Sequence, residues 1–395
     1  MSEHSLSATW AADWYGPAVA TVLSPLGYRA RALAGDQVLA DSDAALRLDD
    51  PDRGPTLWFP RADVASDPPG VVSPPARFEA LTGFVGFDPE QVTIEVLDTA
   101  PGEAPVVLRW PTWGDAADLV AVMDVMPADD GTWSSVARAM PDRPVVEGSQ
   151  MLGQAIVAAM RLMPGRRVVS AHMAFVRPAD AREPLRFRFD EVSAGRAFAS
   201  FAARVEQQGR VCAAGTLLLG VPSDDVIVHA EPGPAVAGPY ESEPYDMGVT
   251  GRDLRVVDAA YTADPDAPVG PPELDAWVRF RSVPDDPALH AGLLAQFTGH
   301  LSIGAALRPH AGLGEAQAHH TLSTAINAIA LSLHADVRVD QWLRYHHRST
   351  SAAGGMTHSE CRVYDEAGAL VASFTVDAMV RAFAGGAVGD TRTSL

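Results

Sequence analysis

The stretch from Arg143 to Arg177 constrains the fold more than any other part of the chain. It opens on a turn of small and polar residues, Glu147-Gly148-Ser149-Gln150. From Met151 to Met163 it then carries apolar or small residues on nearly every helical face, and Pro164-Gly165 ends that run. A β-type segment, Val168 to Val176, follows at once and closes on Arg177-Pro178. A helix that is apolar all round has to be buried all round. A strand that starts two residues after it has to pack against it. A helix wrapped by a curved sheet satisfies both demands.

The rest of the chain repeats that order. Leu185–Val192, Ala197–Glu206 and Val211–Leu219 read as strands joined by short turns, among them Gln208-Gly209. After Val221–Tyr261, acidic and rich in Pro and Gly like a linker, a strand is expected over Leu274–Val283. Asp285-Asp286-Pro287 then signals a helix start. One continuous helix is expected from Ala288 to Leu307, followed by strands over His320–His334, Trp342–His347, Thr357–Tyr364 and Ala369–Ala382. The N-terminal part is mostly β, with a hairpin at Tyr28–Leu33 and Gln37–Ala40, short strands at Ala44–Leu48 and Thr56–Phe59, and a Pro-rich loop at Asp67–Pro75. The expected division is a small β-rich domain over 1–105, a first helix-and-sheet unit over 113–220, a linker over 221–272, a second unit over 273–384 and a tail over 385–395.

At 395 residues the chain is too long for one ordinary core. Its formal net charge of −20 disfavours nucleic acid and anionic membrane partners. No apolar run reaches membrane-spanning length and the N-terminus has no signal-peptide pattern, so a cytoplasmic protein is expected. Cys212 and Cys361, far apart in apolar β runs, read as buried packing thiols.

Residues 113–384 resemble the type II acyl-CoA thioesterases, which are double-hotdog proteins. In the first half the likeness rests on Glu147-Gly148-Ser149-Gln150 with Gly153-Gln154-Ala155, and on Ser170-Ala171-His172 with Phe175-Val176-Arg177-Pro178. In the second it rests on Asp340–Leu343, Arg348–Ala352 and Gly368–Ser373 with Val380-Arg381. The resemblance implies an α+β double hotdog. The N-terminal segments Val38–Ser42, Leu57–Val64 and Gly83–Pro89 resemble part of a bacterial β-rich, nucleotidyltransferase-like family of unknown function. The Cys-Pro-Tyr-Lys-Gly-type segment that family carries is absent here, which implies a structural or docking role.

The thioesterase family holds its catalytic water on an Asp, a Thr or Ser, and a Gln of the second hotdog. In this sequence the Asp position falls on Gly299 or His300, the hydroxyl position near Ile326 with Thr324 and Asn327 beside it, and the Gln position on Val376. Gly, Ile and Val can neither orient nor deprotonate water. The remaining catalytic candidates are His300, an imidazole suited to general-base work near neutral pH, Asn327 as a donor to a carbonyl, and Thr324. Each has a plain structural alternative: a packed histidine, a paired strand amide, a core threonine. For substrate binding the candidates are Glu147, Gly148, Ser149 and Gln150, where the amides of a helix N-terminus can polarise a carbonyl, together with His172. The same turn can equally be a simple cap.

Arg166-Arg167, Arg177, Arg344 and Arg348 are candidates for contacts with CoA phosphates, or else surface charges. His319-His320 and His346-His347 fit no metal-ligand spacing, and no cofactor is expected beyond the CoA or carrier phosphopantetheine of a substrate. Three functions fit: hydrolysis of an acyl-CoA or acyl-carrier thioester by a rearranged site, another biosynthetic reaction on such a thioester (dehydration, isomerisation or acyl transfer), or acyl-thioester binding without catalysis. The expected partners are the acyl thioester or an acyl carrier protein and, in assembly, a second copy of the chain.

Overall fold

The computed structural model describes residues 22–26, 28–50, 54–98, 106–109, 116–135, 145–245, 249, 251–260, 266–281, 283–318 and 321–383. His319-His320 and the expected 385–395 tail lie outside them. The chain forms two compact units, one drawn chiefly from residues up to Leu119 and the other from Val120 onward.

The first unit holds a five-stranded and a four-stranded antiparallel sheet. The expected hairpin is present, Arg29–Ala34 pairing with Gln37–Ser42 across a turn at Gly35. The segments singled out in the sequence here interlock as packing. Leu39, Ala40, Leu57 and Phe59 are buried in one cluster. The Trp58 ring lies against Gly86, and Ser42 donates to Asp63 at 2.6 Å.

The second unit is built on two helices, α1 (Gly148–Leu162) and α2 (Pro287–Phe297). Ten residues of α1, Met151, Leu152, Ile156 and Val157 among them, are buried. Each such large aliphatic contributes about 1.5–3 kcal/mol. The helices cross where Gly153 faces Gly292, and a Cβ on Gly153 would run into the Gly292 carbonyl. α2 starts where the sequence signals it. The Asp286 carboxylate accepts the Ala288 amide at 2.9 Å and Pro287 occupies the first turn.

The strands around the helices are β1 (Arg167–Phe175), β2 (Arg186–Ala194), β3 (Phe198–Gln207), β4 (Arg210–Gly220), β5 (Arg252–Val256), β6 (Glu273–Phe280), β7 (Leu322–Leu333), β8 (Leu343–Ala353), β9 (Met356–Asp365) and β10 (Leu370–Ala382). With three two-residue strands at the edges they form one thirteen-stranded antiparallel sheet. Its order is β2-β3-β4-β1 followed by β7-β10-β9-β8-β6-β5. Four strands of each half follow the same order, β2-β3-β4-β1 and β8-β9-β10-β7, with β6 and β5 added outside β8, and β1 meets β7 at the seam, with His172 opposite Ala330 and Met173 opposite Ile329. The fold is a double hotdog of class α+β.

Two expectations need correction. The stretch taken as linker contributes strand β5, paired with β6 through Leu254 and Val278. Its acidic, Pro-rich composition hid a five-residue strand whose Leu254 and Val256 are buried. The helix expected from Ala288 to Leu307 is broken. α2 ends at Phe297 and a short α3 (Ser302–Leu307) begins after Thr298–Leu301. Thr298 Oγ1 donates back to the Ala295 carbonyl at 2.6 Å, a bond that competes with continuation of the helix. Leu301 adopts φ 69°, a left-handed conformation that no α-helix accommodates.

Candidate functional site

The break after α2 puts His300 in a bend rather than on a helix face, and the bend faces the N-terminus of α1. Glu147 is the N-cap residue of α1, yet its side chain makes no capping bond. Its Oε2 accepts from Gln296 Nε2 at 3.1 Å and lies 3.5 Å from His300 Nε2. Gln296 Nε2 is in turn 3.4 Å from His300 Nε2. From β5, Arg252 donates through Nη1 to Gln296 Oε1 at 3.2 Å, with its guanidinium 4.8 Å from the centroid of the Phe297 ring. That ring is also 4.9 Å from the His300 ring. A carboxylate from the first hotdog thus meets an imidazole and an amide from the second. The His300 and Glu147 side chains keep 12% and 22% of their surface exposed, so water reaches the pair. Burial lowers Arg252 to about 10, against the opposing pull of Glu147, and it stays charged at neutral pH.

Gly299 sits beside this cluster for a steric reason. A Cβ there would collide with the Ser149 hydroxyl and come within 2.7 Å of Ser149 Cβ. Gly299, one of the two positions where the resemblance puts the family's Asp, therefore has no room for any side chain, because Ser149 fills it. Gly148 is equally confined, since its Cβ would meet the Phe175 ring at 2.7 Å.

The other candidates divide. Gln150 is half-buried in the first turn of α1. Asn327 occupies a bulge in β7, where the register against β10 shifts between Ile326 and Ala328. Its Oδ1 is buried without a hydrogen-bond partner. Thr324 is buried on the same strand, and neither residue is hydrogen-bonded to Glu147 or His300 among the described residues. His172 lies apart from these residues. It is exposed, whereas Ala171 and Met173 on either side of it are buried against the helices, so strand alternation puts it on the outer face of the sheet, away from Glu147. With Ser170, Thr216, Ser332, Arg362 and Thr375 it lines an open cavity of about 640 Å³ there.

Three of the arginine candidates and the His346-His347 pair have partners within the fold. Arg344 is buried, donating to the Pro234 carbonyl and stacking 4.8 Å from the Tyr364 ring. Arg166 and Arg177 bond the Gly195 and Val211 carbonyls. His346 faces Asp275 at 3.1 Å, and its neighbour His347 turns inward, 3.0 Å from Ser302 Oγ and 3.3 Å from Cys361 Sγ. That Ser-His-Cys trio is chemically inert. Burial drives His347 down to about 3 and the Cys361 thiol up to about 12, so both are neutral and dry at pH 7. Among the described residues no three His, Cys, Asp or Glu side chains are placed to hold a metal ion, and no helix is long and apolar enough to cross a membrane.

Sequence reasoning found Glu147 and His300 but missed Gln296 and Arg252. Gln296 was readable as the residue one helical turn before His300. Arg252 was masked by the linker-like composition around it.

Comparison with known proteins places this geometry. Residues 136–220 match the acyl-CoA thioesterase N-terminal domain and residues 229–380 the acyl-CoA thioesterase C-terminal domain. Mouse acyl-coenzyme A thioesterase 8 is 23% identical over 299 residues, 67% of this chain and 88% of the mouse protein. Acyl-CoA thioesterase 2 of Haemophilus influenzae is 24% identical over 254 residues, covering 60% of this chain and 87% of its own. Among solved structures, acyl-CoA thioesterase II TesB2 from Mycobacterium marinum superposes with a TM-score of 0.57 at 25% identity, over 68% of this chain and 99% of that one. The tesB protein of Mycobacterium avium subsp. paratuberculosis gives 0.57 at 22% identity, over 68% and 100%.

Proposed function

Across residues 136–220 and 229–380 this chain belongs to the acyl-CoA thioesterase family, and on that premise we propose that it hydrolyses an acyl thioester at a site rebuilt around Glu147, His300 and Gln296. The observation that carries the reading is the approach of Glu147 Oε2 to His300 Nε2, 3.5 Å apart and open to water, while Gly299, the other of the two positions where the resemblance puts the family's Asp, is closed by Ser149. A water lying against both atoms gives one proton to His300. The hydroxide attacks the thioester carbonyl carbon. Glu147 balances the imidazolium, and the first amides of α1, which no side chain caps, stabilise the oxyanion. As the tetrahedral adduct collapses the C–S bond breaks, His300 returns its proton to the leaving thiolate, and a carboxylic acid and a thiol are released. The β-rich N-terminal unit, with its conspicuous motifs used up in packing, is read as a structural or docking module.

The test is incubation with a panel of acyl-CoAs and acyl-carrier thioesters, reading thiol release and product mass. Thiol release should fall by about 10²–10⁴-fold in His300→Ala and in Glu147→Gln, the usual weight of general acid–base catalysis. Thiol release unchanged in both variants would remove the assignment. An altered acyl chain without thiol would replace hydrolysis by acid–base chemistry on the acyl group.

A further inference from the structure

We infer that Arg252 is a positioning residue: its guanidinium fixes the carboxamide of Gln296 and, through it, the tautomer of His300. This rests on the reading of Glu147 and His300 as the acid–base pair. A carboxamide alone is ambiguous, because its terminal torsion is broad and roughly two-fold and its oxygen and nitrogen have nearly the same shape. Its orientation has to be imposed by its neighbours.

Here two neighbours impose the same answer. Arg252 offers only donors, so the amide atom 3.2 Å from its Nη1 is the oxygen. The Glu147 carboxylate only accepts, so the amide atom 3.1 Å from its Oε2 is the nitrogen. Of the two, Arg252 is the rigid one. It is 6% exposed, anchored in β5 by pairing opposite Phe280 and held face-on to Phe297 at 4.8 Å. Glu147 keeps 22% of its side-chain surface in water and is the less constraining partner.

With the amide set this way its N–H points at His300 Nε2, 3.4 Å away. That donor favours a lone pair on Nε2 and the proton on Nδ1, against the pull of the Glu147 carboxylate 3.5 Å from the same nitrogen, which favours a proton on Nε2. With Arg252 fixing the amide the donor prevails, and Nε2 keeps the lone pair that the proposed proton transfer requires. The strand hidden in the linker-like stretch thereby acts on a histidine that it is not shown to touch.

The readout is the ¹⁵N shift pattern of the His300 ring in the full-length protein, which distinguishes Nδ1–H from Nε2–H whether or not the protein turns anything over. The wild type should show Nδ1–H. Gln296→Glu puts an acceptor where the amide nitrogen stood and should move the proton to Nε2. Arg252→Met should leave a mixture of tautomers, and Arg252→Lys should restore most of the wild-type pattern. In thioester hydrolysis Arg252→Met should lower kcat by about tenfold, the value of one charge-assisted hydrogen bond, with KM within about two-fold. A wild-type Nε2–H ring, or a ring unchanged in Gln296→Glu, overturns the inference. Should Arg252→Met fail to fold, Gln296→Glu decides it alone. Absence of any hydrolysis by the wild type counts against the proposed function and leaves the tautomer result standing.

Discussion

Ser149 and Gly299 show how a site is rebuilt one residue at a time. The resemblance puts the family's Asp on Gly299 or His300, and Gly299 lies against Ser149. The two residues share one volume, since any Cβ on Gly299 enters the space of the Ser149 hydroxyl. Ser149 is 1% exposed and cannot swing into solvent. Gly299→Ala should therefore destabilise the protein by about 1–3 kcal/mol, the cost of overpacking a closed core. Ser149→Gly should recover most of that loss in the double variant. A thermodynamic cycle from urea melts checks it. A coupling energy above about 0.5 kcal/mol is expected for residues in contact, and additive single effects would show that the two do not compete for the same space. On the proposed reading the carboxylate of the site comes from Glu147, whose side chain does not cap its own helix.

At the scale of elements the site depends on where helices stop and how closely they cross. α1 and α2 approach backbone to backbone because Gly153 and Gly292 face each other, with Val157 packed on Gly292. Gly292→Ala places a methyl against Val157 and the Gly153 backbone, and should cost stability by about 1–3 kcal/mol. It should also separate Glu147 from Gln296 and His300, so thiol release should fall along with the melting temperature. Full activity at a lowered melting temperature would mean that the site tolerates a wider crossing. The buried helix, the strands of both halves and the start of α2 at Asp286-Pro287 were legible, because apolar periodicity and capping chemistry are local signals. The stop of α2 was not. Ala288 to Leu307 is rich in apolar and small residues along its whole length, and the break comes from Thr298 back-bonding and from Leu301, whose left-handed φ only tertiary packing can impose. The face of His172 was illegible for a related reason. Family likeness marks a strand position, and only the pairing register tells which way it points. Arg252 was illegible because a five-residue strand in acidic, Pro-rich surroundings carries too little pattern to register.

Along the two crossed helices of the second unit the halves are related by a constant offset. A shift of 139 residues carries Gly153 to Gly292, Glu147 to Asp286 and Arg161 to His300. The Glu147–His300 pair at one end of the crossed helices therefore has a counterpart at the other, Asp286 with Arg161, at 2.8 Å. The sequence shows no repeat because so few residues survive in kind. Their chemistry has diverged: one end pairs its carboxylate with an imidazole, and the Arg end holds a fixed charge shared with Asp124 at 2.5 Å. The Arg end thus joins the halves without titrating near neutrality. Burial alone would raise the Asp286 carboxyl, but the hydrogen bond from Arg161 and the amide of Ala288 outweigh it and hold it below its ordinary value. A carboxyl depressed on folding adds stability that is complete above its unfolded value of about 3.9 and is lost as pH falls through the folded one. Asp286→Asn keeps a capping oxygen and removes only the charge, whereas Asp286→Ala removes both and should cost about 1 kcal/mol more at pH 7. Both variants should lose the part of the acid-side decline below pH 4 that this carboxyl causes, so their stability curves should approach the wild type there. Curves that stay parallel to the wild type through that range would assign the acid limb to other carboxylates and make the Arg161 end a packing contact rather than an electrostatic join. Thiol release near neutral pH should be insensitive to Asp286→Asn, since the imidazole end lies at the opposite terminus of each helix, and that contrast separates the catalytic end of the duplicated frame from the one that holds it together.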